Sequence, residues 1–152
     1  MYDVAVIGCG IVGAAAAYEL SRYNCRVLVL EAKNDVANVT TKANSAILHA
    51  GYDPTPGTLM AETNVRGVAL AKELCEKLDV EREEIGSLVL AFGEEDERHL
   101  EKLYQQGLAN GVPGIELLTA DEVHALEPNV SDKVTAALYA PTAAIVSPWE
   151  YA

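Results

Sequence analysis

Short apolar runs alternate with amphipathic stretches along this chain. Tyr2-Asp3-Val4-Ala5-Val6-Ile7 becomes apolar after Asp3 and stops at Gly8, the pattern of a strand buried in a parallel sheet. Ile11 to about Tyr23 is rich in alanine and predicts a helix. Arg26-Val27-Leu28-Val29-Leu30 predicts a second buried strand, ending at Glu31. Strand, helix and strand within about 30 residues make a βαβ unit with a right-handed crossover.

Periodicity then lapses. Residues 32–57 are rich in Asn, Thr, Ser and Gly, with two prolines, and predict a long irregular segment of the kind that often carries function. A helical pattern returns from Thr58 to about Leu78. Ser87–Phe92 reads as a strand, and Glu94 to about Asn110 as an acidic amphipathic helix stopped by Gly111-Val112-Pro113-Gly114. Ile115–Leu118 predicts a short strand. Thr119-Ala120-Asp121-Glu122 has capping-box spacing, so a short helix starts there and ends before Pro128. Val134–Tyr139 and Ala143–Val146 complete the strands. At Ser147-Pro148-Trp149-Glu150, serine suits an N-cap, proline the first helical position and glutamate N3. The sequence stops two residues after Glu150, too soon for a stable helix, and this leads us to expect the N-terminal piece of a longer protein.

The chain has 152 residues, half of them hydrophobic, enough for a real core. No run is long and apolar enough to cross a membrane, and Met1 is not followed by the basic n-region of a secretory signal. Three cysteines (Cys9, Cys25, Cys75) show no CxxC pairing and no histidine at metal spacing, so no metal site is expected, and a reduced, cytosolic protein is the simple reading. The net charge is −12, unevenly placed. Residues 1–72 hold six acids and six bases, whereas 73–152 hold seventeen acids and five bases. Such an acidic surface argues against nucleic-acid binding and reads as solvated helix faces.

The chemistry concentrates near the N-terminus. Gly8-Cys9-Gly10-Ile11-Val12-Gly13 is a GxGxxG turn that follows a strand, opens a helix and has Glu31 at the end of the next strand. Gly8 permits the tight turn, Gly10 lets a pyrophosphate approach the backbone, and Gly13 permits close helix–strand packing. The helix N-terminus offers N–H groups and a positive dipole end to phosphates. Glu31 is placed to accept the ribose hydroxyls, and its charge disfavours a 2′-phosphate. Cys9 reads as a small filler rather than a reactive thiol. His99 and His124 read as exposed structural residues, and Trp149 as a packing residue.

A second stretch, Thr40-Thr41-Lys42-Ala43-Asn44-Ser45-Ala46-Ile47-Leu48-His49-Ala50-Gly51, is a loop by its chemistry alone, with hydroxyls and an amide suited to a pyrophosphate. Together with the glycine turn, with Tyr52, Pro56-Gly57 and Asn64-Val65-Arg66-Gly67, and with Glu122–Pro128, Ala140-Pro141 and Ile145–Pro148, it resembles the flavoprotein oxidoreductases of the D-amino-acid-oxidase superfamily. Within that group it is similar to bacterial anaerobic-type glycerol-3-phosphate dehydrogenases and to L-2-hydroxyglutarate oxidases. The resemblance covers nearly all of this chain but about the first third of such an enzyme.

The resemblance implies an α/β fold: a Rossmann-like βαβ unit in the N-terminal part of an FAD-binding domain (1–80), then the start of a mixed α+β substrate or cap domain (81–152). FAD is the implied cofactor, held by Gly8, Gly10, Ile11, Val12, Gly13 and Glu31, with Ala32 and Lys33 flanking the adenine and Thr40, Thr41, Asn44 and Ser45 near the pyrophosphate and flavin. His49 is the implied catalytic residue, as a base or as a substrate-orienting group. The implied substrate is a small anionic alcohol, glycerol 3-phosphate first and L-2-hydroxyglutarate or another 2-hydroxy acid second. An electron-acceptor protein or a quinone is the implied partner, and the implied location is cytoplasmic or peripheral at the inner membrane. Two other functions compete: an NAD-binding dehydrogenase module, which the irregular segment after Glu31 disfavours, and a non-catalytic nucleotide-binding fragment.

Overall fold

The computed structural model describes residues 1–152 and opens with β1 (Val4–Ile7), α1 (Ile11–Leu20) and β2 (Val27–Leu30). β1 and β2 are parallel, in register from Val4 opposite Val27 to Ile7 opposite Leu30, which is the predicted βαβ unit. The Asp3 carboxylate accepts bonds from the Arg26 backbone N–H (2.8 Å) and Nε–H (3.3 Å), tying the two strands where they begin. α1 ends three residues before its pattern does. There the Ser21 hydroxyl donates to the Tyr18 carbonyl at 2.6 Å, a local bond that competes with helix propagation.

The apolar runs predict two buried strands, and neither strand is buried. Ile7 is 86% exposed and Leu30 51%. The reason is geometric: two strands carry a single helix, α1, so one face of the pair has no cover. α1 in turn buries no residue fully. Its outer face reaches α2 (Leu59–Leu78) through Tyr18, whose ring lies beneath Arg22 (5.4 Å) and Lys77 (5.2 Å).

The main core lies elsewhere. β5 (Ser87–Ala91), β6 (Glu116–Thr119) and β7 (Ala136–Ala140) form an antiparallel sheet with β7 in the centre. Alternate residues of β7 face opposite sides. Leu138 and Ala140 meet Leu100 and Leu103 of α3 (Glu94–Asn110), while Ala137 meets Val123 of α4 (Ala120–Leu126). Leu138 has 0% exposure, so Leu138→Ala is expected to cost about 2–5 kcal/mol, read as a lower midpoint in urea denaturation. The capping box forms as its spacing predicts: Thr119 Oγ1 accepts from the Glu122 N–H (3.4 Å), and Glu122 Oε2 accepts from the Thr119 N–H (2.8 Å).

A third, small sheet joins distant parts of the chain. β8 (Ala144–Val146) lies between β3 (Ile47–Leu48) and β4 (Arg82–Glu83), antiparallel to both. Neither two-residue strand is predicted, because two residues carry no alternation to detect. At Ser147 the expected cap forms, with the Glu150 N–H donating to Ser147 Oγ (3.4 Å) and the Tyr151 N–H to the Ser147 carbonyl (3.0 Å). Trp149, expected to pack, is 66% exposed; Tyr151 packs instead against Cys75, Val80 and Val146. His99 is exposed as expected, whereas His124 is half-buried on α4. No helix is long and apolar enough to cross a membrane.

Candidate functional site

The turn between β1 and α1 is shaped by what its glycines lack. Gly8 has φ +91°, a left-handed conformation that a side chain resists, and its N–H donates to the Leu30 carbonyl at 2.7 Å. A Cβ on Gly10 would sit 2.9 Å from Thr41 Oγ1. A Cβ on Gly13 would run into the Gly8 carbonyl oxygen, with the carbonyl carbon 3.0 Å away. α1 therefore starts hard against the strand it follows. The Ile11 N–H donates to Thr41 Oγ1 (3.1 Å), while the N–H groups of Gly10, Val12 and Gly13 have no hydrogen-bond partner. The first turn of α1 carries no acid, so its positive end is not compensated. Three free donors at an uncompensated helix start, beside a Cβ-free wall, have the chemistry that suits an anion such as a diphosphate.

Glu31 bridges this turn to the end of β2. Its Oε2 accepts from the Cys9 N–H at 2.7 Å and its Oε1 from the Lys33 N–H at 2.9 Å. Each carboxylate oxygen uses one acceptor site and keeps another, so the group is held in place and still able to accept hydroxyls. These bonds, the Cys9 one foremost, hold the Glu31 carboxyl below its usual range. The Thr119 backbone does the same to Glu122, and the Arg26 backbone to Asp3.

A pH dependence follows with a definite sign. On unfolding each carboxyl returns to its ordinary pKa, so the unfolded chain takes up protons first as pH falls. The stability these bonds contribute is complete at neutral pH and is lost below the usual carboxylate range. The expected acid titration, followed by circular dichroism, is flat down to about pH 5 and falls below about pH 4. Glu31→Gln should be less stable at neutral pH and lose less on acidification.

The other predicted site residues divide into two groups. Thr41 is in direct contact with the helix start, as above. The Cys9 carbonyl accepts from the Ala37 N–H at 2.8 Å, and Ala37 is 5% exposed with φ +53°; it anchors the 32–46 segment under the turn. Asn44 shapes its own loop: Nδ2 donates to the carbonyls of Thr40 (3.2 Å) and Thr41 (2.5 Å), and Oδ1 accepts from the Ala46 N–H (2.7 Å). Ala32, Lys33, Thr40 and Ser45 are exposed, and Ser45 opens onto a separate hollow shared with Glu83 and Ser147. His49, just past β3, is also exposed and touches none of the glycine-turn residues through a hydrogen bond.

The loop that carries His49 is held by side chains outside the predicted site. Asn64 Nδ2 on α2 donates to the His49 carbonyl at 2.9 Å. On α3, Asn110 Nδ2 donates to the Gly51 (2.9 Å) and Pro54 (2.8 Å) carbonyls, and Gln106 Nε2 to those of Tyr52 (3.4 Å) and Asp53 (3.1 Å). Gly51 has φ +106°, and a Cβ there would lie 2.6 Å from Val65 Cγ2. Helical amides at such spacing look like solvated surface, so nothing in the sequence marks Gln106 or Asn110 for this task.

The matching family is described as "FAD dependent oxidoreductase", and the match spans residues 3–152. The glycerol 3-phosphate dehydrogenase of Caloramator mitchellensis is 51% identical over 151 residues, which is 99% of this chain and 32% of that protein. The mitochondrial L-2-hydroxyglutarate dehydrogenase of Dictyostelium discoideum is 34% identical over 96% of this chain and 33% of its own length. Among solved structures, the dithionite-reduced L-α-glycerophosphate oxidase of Mycoplasma pneumoniae with FAD bound superimposes with a TM-score of 0.90 at 34% identity, covering 99% of this chain and 40% of that one. The chain thus spans about a third of the length of the curated relatives it matches.

Proposed function

Because the chain belongs to the FAD-dependent oxidoreductase family, we propose that it forms the dinucleotide-binding part of a flavoenzyme that oxidises the hydroxyl carbon of a small anion, glycerol 3-phosphate first. The observation that carries the cofactor reading is the α1 start, where the unpartnered N–H groups of Gly10, Val12 and Gly13 face a Cβ-free turn beside Glu31. In this reading those donors bind the pyrophosphate and Glu31 binds the ribose hydroxyls. Ala32 and Lys33 flank the adenine, and Thr40, Thr41, Asn44 and Ser45 line the path to the flavin. FAD, when bound, supplies the acceptor for a hydride.

His49 acts on the substrate. Its imidazole takes the proton of the hydroxyl as the carbon–oxygen bond becomes a carbonyl, or hydrogen-bonds that hydroxyl to orient it. A quinone or a carrier protein then takes the electrons away. Residues 1–80 serve the cofactor and 81–152 begin the substrate domain.

Glycerol 3-phosphate is favoured by the 51% identity to a dehydrogenase of that name, and L-2-hydroxyglutarate is the second reading, favoured by the 34% identical relative. The test is spectroscopic. Full-length protein should purify yellow, and anaerobic glycerol 3-phosphate should bleach its visible absorbance. Bleaching by L-2-hydroxyglutarate alone would select the second substrate. Colourless protein that binds NAD would overturn the flavin reading.

A further inference from the structure

We propose that Asn64 is a positioning residue for His49, acting through the main chain rather than the imidazole. This rests on the reading of His49 as the residue that handles the substrate hydroxyl. His49 lies where regular structure stops: Leu48 pairs with Ala144, and no ladder bond holds the residues beyond it. From His49 to Pro54 the carbonyls of five residues accept from amide side chains of α2 and α3. Four of those five are held from α3, by Gln106 and Asn110. The His49 carbonyl alone is held from α2, by Asn64 Nδ2 at 2.9 Å.

That single bond fixes the peptide plane that follows the His49 Cα. Ala50, next in the chain, is 1% exposed, and Gly51 is pressed against Val65, so the loop cannot pivot on its far side. Asn64 and Val65 are adjacent on α2: one grips the loop by a hydrogen bond, the other by contact. The exposed imidazole makes no hydrogen bond of its own, so its direction is set by the backbone that carries it. Loss of the Asn64 donor frees that peptide plane to rotate, and a shift of about 1 Å at a reacting group costs about 100-fold in rate.

The test uses flavin-loaded protein with 13C-carbonyl histidine. The His49 carbonyl resonance, identified by its disappearance in His49→Ala, should move upfield in Asn64→Ala and in Asn64→Asp, which lacks the donor but keeps the shape. Anaerobic flavin reduction at saturating substrate should slow about 10- to 100-fold in both, with substrate affinity unchanged. Added to His49→Ala, Asn64→Ala should slow reduction by no more than about threefold, because the two substitutions disable one device. An unmoved carbonyl resonance, or unchanged reduction beside a crippled His49→Ala, would overturn the inference. Failure of Asn64→Ala to load flavin would also overturn it, since the residue would then support the fold. Normal reduction in His49→Ala would instead overturn the reading on which the inference rests.

Discussion

Gly13→Ala is expected to yield protein that purifies without flavin. The added Cβ would meet main chain, not a side chain that can swing away: the Gly8 carbonyl oxygen lies in its path and the carbonyl carbon is 3.0 Å off. Relief requires α1 to lift from β1, which moves the donors of Gly10, Val12 and Gly13 together. Overpacking of this kind costs about 1–3 kcal/mol, and a strain of about 3 kcal/mol charged to the bound geometry weakens binding by more than 100-fold. Little opposes that lift, because β1 pairs only with β2 and α1 buries no residue fully. Gly67→Ala is the control. That glycine is in α2 with no unusual φ, and a Cβ added to it would find nothing within 4 Å, so alanine there should leave flavin content unchanged and favour the helix. Equal flavin in the two variants would show that the close approach at Gly13 is not what shapes the site.

His49→Ala is expected to leave flavin content intact and slow anaerobic flavin reduction by 10²–10⁴-fold, the usual worth of about one positioned acid–base group. Flavin binding should survive because the side chain is exposed and hydrogen-bonds to nothing in the glycine turn. The fold should survive for the same reason: only the backbone of His49 is used, through its carbonyl, and alanine keeps that bond. Reduction followed in stopped flow isolates the step from reoxidation. A normal rate would remove His49 from the chemistry and leave it a loop residue.

The βαβ unit is legible in sequence because four independent signals coincide at fixed offsets: a strand, a glycine turn, a helix and an acid after the next strand. The helix at Thr119 is legible because its cap is local, and in the structure Thr119 accepts the expected N–H. The helix from Thr58 is legible by its periodicity alone, and its cap, Thr58 accepting from the Ala61 N–H, is seen only in the structure. Burial of β1 and β2 is not legible, because a run such as Val27–Leu30 records what a strand is suited to, while exposure depends on what lies against it. The clamp on the His49 loop is hidden for a different reason. Asn64 is 15 residues from His49, but Gln106 and Asn110 are more than 50 from the carbonyls they hold, and no periodicity encodes such a bond. Glu31 shows both cases: its place at the strand end is legible in the sequence, while its bond to Cys9 is visible only in three dimensions.

The sheet built on β8 also sets an order of assembly. The glycine turn needs only residues up to about Thr41, so it can form as soon as that much chain has left the ribosome. β3, which leads into His49, must wait for its partner, because Ile47 pairs with Ile145. At about 5–20 residues per second, the intervening stretch delays that closure by several seconds. A nascent chain therefore acquires its glycine turn well before the histidine is set in place, and closing so long a loop carries an entropic cost that the local unit never meets.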